Sequence, residues 1–330
     1  MEPSSRVAIL VNGNAKRVSD AVVAALRDVG GADVFVTRTL DEAHDVARKV
    51  VERRYDTVLL GGGDGTFVAW TSDILNFADE LGATAPSFAL LPLGTGNALA
   101  TTLGTPDASP LALRQAFRRA RNGDADARPI DLLEVDGKLT PFAGFGLDAL
   151  ILEDHHRVEG TLASLGVNVG ANAGYALSIL LRSIPRYAIA DYPEITVTNI
   201  GAPAILLDAD GQPLGDPVAA GEVLFQGRAS IASASTIPFV GLNLRLFPHA
   251  RRERGRFNLR VADAGPLEIL GHLPSLWRGT WRSASIHDFL CTAIAVESTP
   301  KSPFQIGGDP AGRRERAVIE IARRRVRILS

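Results

Sequence analysis

Leu59-Leu60-Gly61-Gly62-Gly63-Asp64-Gly65-Thr66 decides the fold: an apolar strand, Asp56 to Leu60, runs into a turn of glycines, one carboxylate and one hydroxyl. From Phe67 the pattern is helical, with Phe67, Trp70, Ile74, Leu75 and Phe77 suited to one buried face. A glycine-rich turn between a strand and a helix N-terminus lets the backbone approach a ligand and aims unpaired N–H groups at it. Such a turn favours an anion, most naturally a phosphate. Asp64 would repel a bare phosphate, so its presence implies a metal ion between the two or a proton to be taken from an attacking hydroxyl. Both alternatives point to phosphoryl transfer. Taken alone, the stretch also reads as a tight turn with purely structural glycines.

A second turn of the same kind lies downstream. Ser87 to Leu93 is an apolar strand that ends in Gly94-Thr95-Gly96-Asn97, ahead of the helical stretch Ala98 to Leu103. Two strand ends carrying glycine, threonine and a polar tip within one α/β unit read as two sides of one nucleotide crevice, since ligands of such sheets bind at the carboxyl ends of the strands. The Walker pattern and the third glycine of a dinucleotide fingerprint are both absent.

Around these turns, strands alternate with helices. Arg6 to Asn12 and Ala32 to Thr37 read as strands. Val18 to Val29, Leu40 to Arg54 and Pro110 to Asn122 read as helices, the second with the apolar stripe Ala43, Val46, Ala47, Val50 and Val51. This predicts a doubly wound α/β domain with a mostly parallel sheet over residues 1–128. Beyond it come short β-like runs: Ile130 to Val135, Leu139 to Phe145, Glu194 to Thr198, Val223 to Ile231, Leu242 to Phe247 and Phe257 to Val261. They predict a second, β-rich domain over 129–314, an antiparallel β-sandwich. Two helical insertions interrupt it, Asp148 to Ile184 and Leu267 to Trp281. The chain closes on strands Ala317 to Ile321 and Arg325 to Leu329.

The chain has 330 residues, 46% of them hydrophobic, and a formal net charge of -2, which is enough for two full cores and no argument for a nucleic-acid partner. Cys291 is the single cysteine, so no intrachain disulfide can form and a reducing cytosol suits the chain. The first residues lack the basic region and long apolar core of a signal peptide. Asn168, Asn172 and Arg182 interrupt the most apolar stretch, Gly160 to Ile184, so no membrane span is expected. The expected location is cytoplasmic, with peripheral, transient contact to a membrane during catalysis. A homodimer is allowed for.

GGGDGT followed about 30 residues later by PLGTGNALA resembles the diacylglycerol kinase catalytic-domain family, the lipid kinases that include bacterial diacylglycerol kinases and eukaryotic sphingosine kinases. The resemblance implies transfer of the γ-phosphate of ATP, with Mg²⁺, to a lipid hydroxyl at the cleft between the domains, and a final strand, about 315–330, that completes the first domain. Backbone N–H groups of Gly62, Gly63, Gly65 and Thr66 would hold the phosphates, with the Thr66 and Thr95 hydroxyls as added donors, and Gly61, Gly94, Gly96 and Asn97 would complete the nucleotide site. Asn12 and Thr37 would add contacts from the neighbouring strand ends. Asp64 would act as general base or as a Mg²⁺ ligand, with the base role favoured. Asp148 in Gly144-Phe145-Gly146-Leu147-Asp148 is the candidate for binding the acceptor's polar group, with a helix cap as its plainer role.

Some positions depart from the family pattern. Gly13 stands where proline is usual, and Ala98 where bacterial diacylglycerol kinases usually have aspartate. Near the C-terminus the family reads Asp-Gly-Glu; here the matching residues are Gly307, Gly308 and Asp309, so one carboxylate is missing and the candidate base Asp309 is a methylene shorter. A catalytically silent binding protein and a kinase of a soluble acceptor such as NAD are the alternatives. Trp277 and Trp281 beside Arg278 and Arg282, and the basic run His249 to Arg256, suit either a membrane-facing edge or ordinary packing and solvation.

Overall fold

The computed structural model describes residues 6–28, 30–94, 96–105, 109–122, 127–146, 149 and 192–329. The chain forms two compact units: Met1–Ile130 with Gly137–Leu139 and Arg323–Ser330, and Asp131–Asp136 with Thr140–Ala322. The helical insertion expected over 148–184 lies outside the described residues.

In the first unit, strands β1 (Val7–Asn12), β2 (Ala32–Thr37), β3 (Thr57–Gly62), β4 (Ser87–Pro92), β5 (Ala127–Ile130) and β17 (Val326–Leu329) form one sheet in the order β2-β1-β3-β4-β17-β5. Every pair is parallel except β17 with β5. The sheet is thus mostly parallel, as the alternating pattern predicted. Helices α1 (Asp20–Arg27), α2 (Leu40–Glu52), α3 (Asp64–Glu80), α4 (Ala98–Leu103) and α5 (Pro110–Asn122) connect and cover the strands.

Local chemistry explains the boundaries. Ser19 caps α1 by accepting the Val22 N–H. Thr39 and Glu42 form a reciprocal capping box at the start of α2, whose buried residues are Val46, Ala47, Val50 and Val51. Alternate strand residues Val7, Ile9, Val11, Leu59, Ala89 and Leu91 pack with Leu26, Leu113 and Phe117 of α1 and α5. The intervening residues Ala8, Leu10, Val58, Leu60 and Phe88 point to the other face and are equally buried. With both faces covered, the carboxyl ends of β1, β3 and β4 remain for a ligand. The register puts Asn12 opposite Thr37 and Gly62 opposite Pro92 along that edge.

Among the described residues the second sheet has 11 strands. They are β6 (Leu133–Val135), β7 (Lys138–Thr140), β8 (Phe142–Gly146), β9 (Glu194–Asn199), β10 (Ile205–Leu207), β11 (Val223–Arg228), β12 (Ile231–Ser235), β13 (Phe257–Ala262), β14 (Ile286–Cys291), β15 (Ala293–Ile306) and β16 (Asp309–Ile321). They are paired antiparallel along the ladders from β10 to β6 and at β9 and β11. The long strand β15 makes the ladder continuous: its Ile294 to Thr299 segment pairs with β9 and its Phe304 to Ile306 segment with β8. A buried polar row crosses β13 and β14, where Arg260 pairs Asp288 through two bonds of 2.9 and 2.7 Å and Asn258 donates to the same carboxylate at 3.0 Å.

Some expected elements differ. The run Leu242 to Phe247 alternates like a strand, but Gly241–Asn243 is a 3-10 turn, Asn243 takes φ 58, and Leu246 and Phe247 are buried together. Val223 to Ile231 is two strands rather than one, and Leu267 to Trp281 contains two short helices, α6 (Pro266–Gly271) and α7 (Leu273–Arg278). Among the described residues no helix is long and apolar enough to cross a membrane.

Candidate functional site

The site is built where β3 passes into α3 and β4 passes into α4. Helix α3 begins at Asp64, three residues before the apolar periodicity starts, with Gly63 as its N-cap and no side-chain cap. The first turn of a helix needs no helix-forming side chains, because its N–H groups have no intrahelical acceptor. Gly65 and Thr66 therefore present their N–H groups outward at the positive end of a 17-residue helix.

The two glycine turns lie against each other. Gly62 C=O accepts the Leu93 and Gly94 N–H groups at 3.1 and 3.0 Å, and Asp64 N–H donates to Gly96 C=O at 3.2 Å. A Cβ on Gly94 would stand 2.4 Å from Gly63 Cα, and one on Gly63 would stand 2.8 Å from Gly96 C=O. These glycines are thus required by the contact of one turn with the other, and not only by the approach of a ligand.

Asp64 completes the joint. Its Oδ2 accepts the Ala98 N–H at 2.9 Å and its Oδ1 accepts the Leu99 N–H at 3.1 Å, so the carboxylate of the first turn caps the helix that follows the second. Asn97 is the nominal cap residue, but its side chain donates to Gly94 C=O at 2.9 Å instead. The Asp64 residue is 7% exposed. Sequence reasoning missed this capping role because the partners lie 34 and 35 residues away.

The other expected residues fall as follows. Asn12 donates to Thr66 Oγ1 at 3.0 Å and accepts the Asn14 N–H at 3.0 Å, which ties the β1 end to the α3 N-terminus and uses both halves of its amide within the protein. Thr37 is 4% exposed, and its carbonyl accepts the Gly13 N–H. Gly61, Gly62, Gly63, Gly65, Thr66, Gly94, Gly96 and Asn97 are brought together, whereas Thr95 lies outside the described residues. A cavity lined by Gly62, Asp64, Thr66, Pro92, Asn97 and Leu99 opens at this joint. Arg17 lies beside Pro92 of this lining: its guanidinium donates to Pro92 C=O at 3.5 Å and its backbone N–H donates to Leu93 C=O.

Asp148 lies outside the described residues. Asp309 is exposed at the start of β16 and pairs with Ile306 across a two-residue turn. Gly307 and Gly308 form that turn with φ 61 and 88, the combination that a tight hairpin requires.

The donor set fits a polyphosphate, with outward N–H groups, one hydroxyl and glycines that leave the backbone bare. Among the described residues no cluster of three or more His, Cys, Asp or Glu side chains gathers to hold a metal ion. A cation bound here would depend on the phosphate oxygens for most of its ligands.

Comparison with known proteins agrees with this geometry. Residues 6–135 match the family model of the diacylglycerol kinase catalytic domain. The chain is 37% identical over 155 residues to "Probable lipid kinase YegS-like" of Pseudomonas aeruginosa, a stretch covering 44% of this chain and 46% of that protein. It is 35% identical over 119 residues to "Probable lipid kinase YegS" of Salmonella heidelberg, covering 35% and 36%. The matched stretch thus spans less than half the length of these curated relatives. A solved diacylglycerol kinase structure from Bacillus anthracis str. Sterne shares the fold, with a TM-score of 0.64 over 100% of this chain and 98% of that one at 16% identity. The resemblance carried by the two glycine turns is therefore borne out over residues 6–135, which match the model of that family.

Proposed function

We propose that this chain transfers the γ-phosphoryl group of ATP to a hydroxyl of a lipid. The observation that carries the reading is the joint between the turns, in which Asp64 fixes α4 against the α3 N-terminus and Gly63 and Thr66 line a cavity. Phosphoryl transfer is mostly positioning and charge stabilisation, and a rigid cradle of N–H groups supplies both. Thr66 Oγ1, held by Asn12, would add a donor to the phosphates. Arg17 at the rim would offset their negative charge.

Bound with ATP, Mg²⁺ would neutralise charge on the transferring group. Asp64 is the carboxylate of this unit that would hold it, directly or through water. Asp64 would also take the hydroxyl proton, so the residue would serve as cap and as base. The acceptor class is a lipid alcohol such as a diacylglycerol or a sphingoid base, with Asp148 proposed to bind its polar group and Asp309 kept as the second candidate base.

Gly307 motivates a second reading. The family's carboxylate is absent at that position, and a binding protein without catalysis would tolerate the change. Phase partition of the product separates these readings. Label from γ-labelled ATP in the organic phase supports a lipid acceptor. Label that stays in a water-soluble product moves the acceptor to a soluble alcohol, and ATP binding without transfer favours the silent homologue.

A further inference from the structure

The second unit carries a patch of arginines around one exposed tryptophan, and none of these side chains belongs to the phosphate cradle. Helix α7 buries Leu276 and exposes Pro274, Trp277 and Arg278, which lie on one face at i, i+3 and i+4. Trp277 is 44% exposed, whereas Trp281 is 4% exposed and stacks on His272, so the two tryptophans of this segment have different roles.

Cationic side chains converge on the same end of the unit. Arg245 packs its stem against Gly279, the residue that terminates α7. Arg282 pairs with Asp210 at 2.6 Å, and the nearby Gln212 accepts from Arg252 at 3.2 Å, which joins the 208–212 loop to both the segment after α7 and the 249–256 segment. Asp210 and Glu253 are the nearby acids with ion-pair partners, Arg282 and Arg256. Arg245, Arg252, Arg254 and Arg278 are exposed and have no carboxylate partner among the described residues.

We propose that this patch docks the chain on an anionic bilayer, with Trp277 entering the headgroup region and the surrounding arginines meeting lipid phosphates. A tryptophan suits the membrane–water interface because its ring is apolar and its N–H is polar. Arginines around it match a negatively charged leaflet, and each contributes about fivefold in partitioning close to the surface. The proposal extends the lipid-kinase reading by naming the surface that would bring the enzyme to its substrate. It stands on geometry separate from the cradle.

The test uses the whole chain and vesicles of phosphatidylcholine with and without phosphatidylglycerol. Trp70 and Trp281 are buried at 2% and 4% exposure, so Trp277 is the tryptophan among the three whose emission should respond. A blue shift and co-sedimentation with anionic vesicles alone, weakened by salt, are expected. Trp277→Ala should abolish the shift, and Arg245→Glu with Arg278→Glu should weaken sedimentation by about 30-fold or more. Absence of wild-type binding to anionic vesicles, or unchanged binding of the charge-reversed variant, overturns the proposal. Lipid phosphorylation in detergent micelles is measured beside it. Transfer without vesicle binding removes this surface but keeps the kinase, and vesicle binding without transfer does the reverse.

Discussion

The carboxylate of Asp64 accepts the backbone N–H of Ala98 at 2.9 Å across a gap of 34 residues, so one side chain joins the two glycine turns. The carboxylate of the first glycine turn is also the cap of the helix behind the second turn. Any substitution of Asp64 therefore acts on geometry as well as on chemistry.

Asp64→Asn keeps one acceptor but turns an amide NH₂ towards the other N–H donor. Loss of a charge-assisted bond in a buried site costs about 1.5–3 kcal/mol. Hydrogen exchange of the Ala98 and Leu99 amides should accelerate in this variant, with little change in α2. Equal protection in both proteins would mean that the cap is not held in solution.

Gly94 and Gly96 should respond differently to alanine. A Cβ at Gly94 meets Gly63 backbone at 2.4 Å, whereas at Gly96 the nearest atom is Asp64 Oδ2 at 3.3 Å. Gly94→Ala should destabilise the first unit by about 1–3 kcal/mol and remove ATP binding. Gly96→Ala should retain measurable binding, and titration calorimetry of both variants distinguishes the two.

In the second sheet, Asp288→Ala leaves the Arg260 guanidinium buried without its carboxylate. Breaking such a pair from one side costs about 3–5 kcal/mol. Urea unfolding should show that loss, with ATP binding by the first unit unchanged.

Burial holds His249 below its ordinary value of about 6.5. Asp288 at 3.8 Å opposes the shift, and Arg260, Arg252 and Arg245 add to it. The unfolded chain then binds a proton that the folded chain refuses. The stability this group contributes is present above the unfolded value of about 6.5 and is lost as pH falls through the lowered folded value. His249→Gln should flatten the pH dependence of the urea midpoint across that window, and an unchanged slope would assign the acid sensitivity elsewhere.

Much of the first unit was legible because its signals are local. The stripe and capping box of α2 and the apolar run of β2 need no information from outside the segment. The glycine turns were equally visible, but the role of Asp64 as a cap was not, because it depends on β3 and β4 lying side by side. The second unit was harder. Strand β14 lacks alternation because Asp288 points inward to Arg260, and β15 carries Pro300, Lys301 and Pro303, which read as a loop. The Leu242 to Phe247 run alternates, yet Asn243 in a left-handed conformation turns the chain where a strand would continue.

The central claim is that the paired turns serve transfer of a phosphoryl group to a lipid. The direct measurement is incubation of the whole chain with γ-labelled ATP, Mg²⁺ and mixed lipids in detergent, beside Asp64→Asn. The account predicts label in the organic phase with wild type and at least about 100-fold less with the variant. No organic label from a wild type that still binds ATP, or equal label from the two proteins, would contradict it.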